Sequence, residues 1–237
     1  MEMKHEEFIL SPIEQILEDA ANATNLLNKR IEAFPLNDYI LRSVFLEMTG
    51  FQEQKFKCIA WDIATENFEF RFDYLHKYAG RYFSNYNDKN EFYKELIKIL
   101  GESVGLSETE KKLILEDAKY RIESIIEKSN LKDWNRRDYK VFIDNIAVEI
   151  NEKEIALNKH LLKEGGSTQE IYKKLYLNRN RVAHNIPSYQ QNLPKFKILE
   201  DEKFGYSNYF VWFYILIVID RIVINLYKKI IENLRNS

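Results

Sequence analysis

Between Leu175 and Asn185 the chain reads Leu-Tyr-Leu-Asn-Arg-Asn-Arg-Val-Ala-His-Asn, which sets Arg179, Asn180 and His184 in one short stretch. On a helix, Asn180 and His184 are one turn apart and share a face, and the long side chain of Arg179 reaches round to them. These three types suit attack of a ribose 2′-OH on the adjacent phosphate. Histidine moves protons near neutral pH. Arginine binds two phosphate oxygens at once and keeps its charge. Asparagine orients either the imidazole or the phosphate. The chemistry predicted is metal-independent cleavage of RNA, leaving a 2′,3′-cyclic phosphate and a 5′-OH. Lys173, Lys174, Arg179 and Arg181 form a basic cluster that either tracks an RNA backbone or is a solvated face. Tyr172, Tyr176 and Tyr189 flank the motif and offer rings for base stacking. Fifteen tyrosines in the chain make coincidence the better explanation of each.

Arg-Asn-x-x-x-His is the signature of HEPN domains, and Arg179-Asn180-Arg181-Val182-Ala183-His184 matches it at every specified position. The stretch Arg42 to Lys57, with Glu53 and Lys57 four residues apart, resembles the early helix of defence-associated HEPN proteins. The resemblance spans about residues 38–78 and 135–235. It implies an all-α, HEPN-like antiparallel helical bundle whose members usually dimerise, bringing two Arg/His motifs together. It also implies a metal-independent endoribonuclease of a toxin–antitoxin, abortive-infection or CRISPR-linked system, with an RNA substrate, no cofactor and an antitoxin or sensor protein as a possible partner. Some members are inactive and only bind nucleotides or partners, and such a binding module is the alternative. A tyrosine two residues after the motif histidine, found in some toxin members, is replaced here by Ile186.

Other groups point to weaker chemistry. Glu53 and Lys57 make an i,i+4 pair that either stabilises its helix or lines the cleft. Asp220 is expected to form a structural ion pair with Arg179, Arg221 or a buried lysine rather than to act in catalysis. His5, His76 and His160 have no cysteine or acidic neighbour at metal-ligand spacing, so no metal site is expected. Lys132, Arg136, Arg137 and Lys140 form a second basic cluster. Asp38 with Glu53-Gln54-Lys55 mimics a metal-dependent nuclease signature, but that signature belongs on strands and this stretch has helical spacing. No Gly-x-x-x-x-Gly-Lys-Ser/Thr occurs, which excludes a P-loop ATPase.

The elements that must position these residues are helices. Only 7 Gly and 4 Pro stand among 237 residues, too little turn chemistry for a sandwich or barrel. With 45% hydrophobic and 30% charged residues, both a core and a soluble surface are available. A net charge of −2 leaves RNA contact to a local patch. Cys58 is the single cysteine, and the start MEMKHEEF lacks an apolar leader, so a reducing, cytoplasmic setting is expected. The run YFVWFYILIVI from Tyr209 to Ile219 is shorter than the ~20 residues of a bilayer span and reads as a core helix. It is apolar round more of its circumference than one core face needs, so part of it, with the motif helix, is expected to form a two-fold interface.

The element boundaries follow from caps and breakers. A capping box at Ser11-Pro12-Ile13-Glu14 opens a helix to about Phe34, and Asn37 or Asp38 caps the next, which runs to Tyr78 with a bend near Asn67. Helices follow over about 89–100, from the Ser107-x-x-Glu110 box to about Lys128, and from Trp134 or Asp138 to Leu162. Ser167 or Thr168 caps the motif helix, which ends near His184, and the last helix covers about 208–234. One domain is expected, with a helical insertion over about 80–130. No strand is expected.

Overall fold

The computed structural model describes residues 5–27, 34–78, 83–101, 105–146, 150–183 and 208–236. The fold is organised by the most apolar segment. Helix α10, Tyr209–Asn236, starts where the Asn208 Oδ1 accepts the Val211 N–H at 2.9 Å. Phe210 to Asp220 are buried without interruption, because the helices Phe34–Glu66, Tyr86–Leu100, Glu108–Glu127 and Ser167–Ala183 pack around this helix. By length and composition α10 could cross a bilayer, yet most of its apolar stretch is buried inside the chain. Its apolar excess is therefore covered largely within the chain itself. Phe210, Trp212, Phe213, Tyr214, Ile215, Leu216 and Val218 are all spent on the intrachain core.

Helices α1 (His5–Leu10) and α2 (Glu14–Thr24) lead into α3 (Phe34–Glu66) and α4 (Phe68–Tyr78). The Ser11 capping box does not form. Ser11 Oγ instead donates to the Phe8 carbonyl at 2.7 Å, closing the end of α1, while Glu14 turns into the core and pairs with Arg221 at 2.7 Å. Helix α2 also stops at Thr24, well short of Phe34. Asn37 and Asp38 lie inside α3 rather than capping it: Asn37 exchanges two 2.8 Å hydrogen bonds with Asn135, and Asp38 pairs with Arg42 at 2.8 Å. Leu41, Val44, Phe45, Met48, Phe56, Ile59 and Ile63 form the buried stripe of α3, the helical spacing read from sequence. The bend at Asn67 is present, since its Oδ1 accepts the Phe70 N–H at 2.9 Å and starts α4.

Asn85 caps α5 (Tyr86–Leu100), and Gly101 follows it at φ 80°, a conformation open to glycine at no steric cost. The Ser107/Glu110 capping box forms as expected and opens α6 (Glu108–Glu127). Both helices put their apolar faces into the same core as α3 and α10.

The helix expected from Trp134 or Asp138 to Leu162 is not there. Short helices α7 (Leu131–Trp134) and α8 (Arg136–Val141) run into a single wide π turn at Phe142–Ile146. A 3₁₀ turn at Glu152–Glu154 then leads to an antiparallel hairpin, β1 (Ile155–Leu157) and β2 (His160–Leu162), in register Ile155↔Leu162 and Leu157↔His160. Its backbone is claimed by α5. Tyr93 Oη donates to the Leu157 carbonyl at 2.8 Å, Tyr86 Oη to that of Leu162 at 2.9 Å, and the Leu161 N–H donates to Asn90 Oδ1 at 2.8 Å. Tertiary partners on α5 thus displace the local helical preference.

Candidate functional site

Helix α9 (Ser167–Ala183) carries the motif, and the turn before it fixes where it starts. Gly165 sits at φ 69°, and its N–H donates to Gln169 Oε1 at 3.1 Å. At Gly166 an added Cβ would lie 2.3 Å from Glu154 Oε2, so any larger residue there requires that carboxylate to move. Ile171, Tyr172 and Leu175 then anchor α9 in the core. This leaves Asn178, Arg179 and Asn180 half-buried at its far end.

Arg179 is held from two sides. Its Nη2 lies 3.3 Å from Glu53 Oε2 on α3, and its Nη1 donates to Asn180 Oδ1 at 3.4 Å. The Arg179 side chain is 24% exposed and that of Glu53 14%, so the pair is partly desolvated yet open to an incoming group. Glu53 therefore does reach the motif, across 126 residues of sequence. Lys57 stands half-buried one turn further along α3. Lys173 is exposed and pairs with Glu170 at 3.1 Å, which suits a solvated face. Tyr176 is partly buried against the core. Tyr172 is 1% exposed and so stacks on no base; burial, with Glu53 next, pushes its hydroxyl far up from the usual range and keeps it neutral. His184, Tyr189 and the side chain of Arg181 lie outside the described residues.

Beneath the pair is a buried polar layer. Lys89 of α5 is 2% exposed, donates to Gln52 Oε1, and lies 5.3 Å from the Phe56 ring centre and 5.5 Å from that of Tyr172. Gln52 Nε2 donates in turn to the Leu216 carbonyl at 2.8 Å, which fixes the amide. Burial pulls the Lys89 ammonium down to about 7, with Arg179 adding to the fall, while Glu53 and Asp220 oppose it. A second buried pair lies further along α10. Lys55 Nζ is 2.9 Å from Asp220 Oδ2 and also bonds the Ser11 carbonyl. Asp220 thus makes a structural pair with a buried lysine, as expected, and burial pushes its carboxyl up to about 6 against the pull of Lys55.

Sequence reading missed Lys89 and Gln52. The available signal was the placement of Lys89 among Tyr86, Phe92, Tyr93, Leu96, Ile97 and Leu100, the buried face of α5. A lysine at a core position without a carboxylate at i±4 implies a distant partner. His5, isolated in sequence, is brought to Asp62 at 3.0 Å and lies 4.0 Å from Cys58. His160 faces Glu164 at 3.6 Å, and His76 packs edge-on against Phe72.

The Asp38, Glu53 and Lys55 signature does not converge. Asp38 is fifteen residues from Glu53 on one helix, roughly 22 Å at 1.5 Å per residue. Glu53 and Lys55 face different partners, Arg179 and Asp220. Two cavities of about 480 and 530 Å³ lie elsewhere, one around His5, Trp61, Asp62 and Tyr227, the other around Glu14, Asp117 and Arg221. Neither is lined by Arg179 or Asn180.

No family model, curated protein or solved structure matches the chain.

Proposed function

We propose that this helical protein is a metal-independent endoribonuclease of HEPN type. The reading is supported by one observation above all: the Arg179 guanidinium is anchored on Glu53 and set beside Asn180 at the end of α9. In sequence, His184 completes the motif one helical turn after Asn180. In the proposed reaction His184 takes the proton of the ribose 2′-OH, whose oxygen attacks the neighbouring phosphorus. The 5′-oxygen leaves with a proton supplied by a His184 imidazolium of either chain or by water, and a 2′,3′-cyclic phosphate and a 5′-OH result. Arg179 holds the non-bridging oxygens as charge builds on them, and Asn180 orients the phosphate or the imidazole. Glu53 keeps the guanidinium aimed before substrate arrives, which saves ordering cost at the transition state.

The assembly we propose is a homodimer with the end of α9 at its two-fold axis, where Leu177 is 58% exposed beside the motif. An antitoxin or sensor partner that restrains the activity belongs to the same proposal. The test is cleavage of RNA by purified protein in EDTA. Loss of cleavage in Arg179→Ala and His184→Ala, and resistance of RNA with a 2′-deoxy nucleotide at the cut site, are the expected results. Efficient cutting of the deoxy-substituted substrate, or products ending in 5′-phosphate, would overturn the mechanism.

A further inference from the structure

Lys89 is the cation the proposed reaction does not use, and the charges around it balance without it. On α3, Glu53 is matched by Arg179 of α9 at 3.3 Å. On α10, Asp220 is matched by Lys55 of α3 at 2.9 Å, both nearly fully buried. Lys89 Nζ bonds Gln52, the chain neighbour of Glu53, and lies over the ring of Tyr172, two turns before Arg179 on α9, and among the described residues no carboxylate pairs with it. Its bond to Gln52 is to a neutral amide, and its aromatic neighbours Phe56 and Tyr172 are neutral as well. The hairpin also packs on α5, but meets it through Tyr86, Asn90 and Tyr93, and no charged group of the hairpin figures among those acting on Lys89.

We propose that Lys89 is a positioning residue of the α9 site, whose charge makes the Glu53–Arg179 pair open to a phosphate and whose neutralisation closes the pair on itself. The proposal deepens the ribonuclease reading and rests on it for the identity of the phosphate as that of RNA. When a phosphate draws Arg179 away, Glu53 loses its counter-ion in a partly desolvated place, which is costly. A charged Lys89, held through Gln52 at the same turn of α3, takes over that role and adds a positive charge to the site. A neutral Lys89 does neither, so Arg179 stays with Glu53. Because burial and Arg179 bring the ammonium down to about 7, both states are populated near neutrality. Linkage then requires that phosphate binding raise the proton affinity of Lys89 by the same factor that protonation raises phosphate affinity.

The test has two arms on the full-length chain. In the first, NMR follows the titration of the Lys89 side chain, assigned by the signal missing from Lys89→Met. The midpoint should rise in Arg179→Ala and fall in Glu53→Gln, each by on the order of one pH unit. In the second, fluorescence anisotropy measures binding of an all-2′-deoxy oligonucleotide, which cannot be cleaved by the proposed chemistry. Wild-type affinity should fall about tenfold between pH 6 and 9 beyond the change in Lys89→Arg, which keeps its charge throughout. A Lys89 midpoint indifferent to both Arg179→Ala and Glu53→Gln overturns the proposal, whether or not the chain cuts RNA. So does a pH dependence of oligonucleotide binding that is the same in wild type and Lys89→Arg. Should a Lys89 variant fail to fold, a free-phosphate titration of the wild-type Lys89 signal replaces the second arm: phosphate must raise the midpoint, and no movement overturns the proposal. If both arms give the expected results and RNA is still not cleaved, the proposal stands and the ribonuclease reading falls.

Discussion

Replacing Lys89 by methionine tests how the buried polar layer is held together. The unfolded chain binds the Lys89 proton with an ordinary affinity near 10.5, and the folded chain with one near 7. Between these values the unfolded state carries more protons, so wild-type stability must rise with pH. The group is 2% exposed, so solvent screening does not erode the effect. Allowing for half-protonation of the folded state at pH 7, the gain from pH 7 to 9 is about 2 kcal/mol. Cys58 and the buried tyrosines are shifted upward from 9.0 and 10.0, so their titration falls largely above this window. Lys89→Met removes the titrating group and keeps most of the apolar stem. The variant should be more stable than wild type at pH 7 by about 1–3 kcal/mol, after allowing about 1–3 kcal/mol for the Gln52 oxygen left unpaired. The two proteins should converge as pH rises. Urea denaturation followed by circular dichroism at half-unit steps from pH 7 to 9 measures both slopes. A flat wild-type profile, or a variant that is less stable at pH 7 and equally steep, would refute the reasoning.

Asp220→Ala leaves the Lys55 ammonium buried and unpaired, and should cost about 3–5 kcal/mol in the same denaturation assay; Lys55→Met combined with Asp220→Leu should recover most of it. Expression of the wild-type chain alone should slow growth of the host, while Arg179→Ala and His184→Ala should not, as colony counts and growth curves will show. Light scattering at micromolar concentration should give a dimer mass, and Leu177→Lys should shift it toward the monomer, since a charge would then sit in the proposed contact. Gly166→Ala must push the Glu154 carboxylate aside, and should lower the midpoint of thermal unfolding by several degrees.

What could be read from the sequence, and what could not, divides along the distance over which each feature is decided. The Ser107/Glu110 box, the break at Asn67 and the start of α10 at Asn208 are local, because each is a side chain meeting backbone three residues on. The same kind of signal failed at Ser11, where the end of α1 competed for the hydroxyl and the core competed for Glu14. The hairpin at 155–162 carries no alternating pattern to reveal it, since its backbone bonds to Tyr86, Asn90 and Tyr93 some 64–76 residues away. The apolar excess of α10 was legible, but its destination was not: composition alone cannot tell a surface that another copy covers from one that other helices of the same chain cover. At the site the division is sharper still. Arg179 and Asn180 announce themselves by adjacency, and Glu53 by its spacing to Lys57. Lys89 is visible only as a lysine misplaced on an apolar face, and its meaning depends on Glu53, Arg179 and Asp220 arriving from three other helices. A motif therefore locates the groups proposed to meet substrate, while the buried charge proposed to set their readiness has to be found in three dimensions.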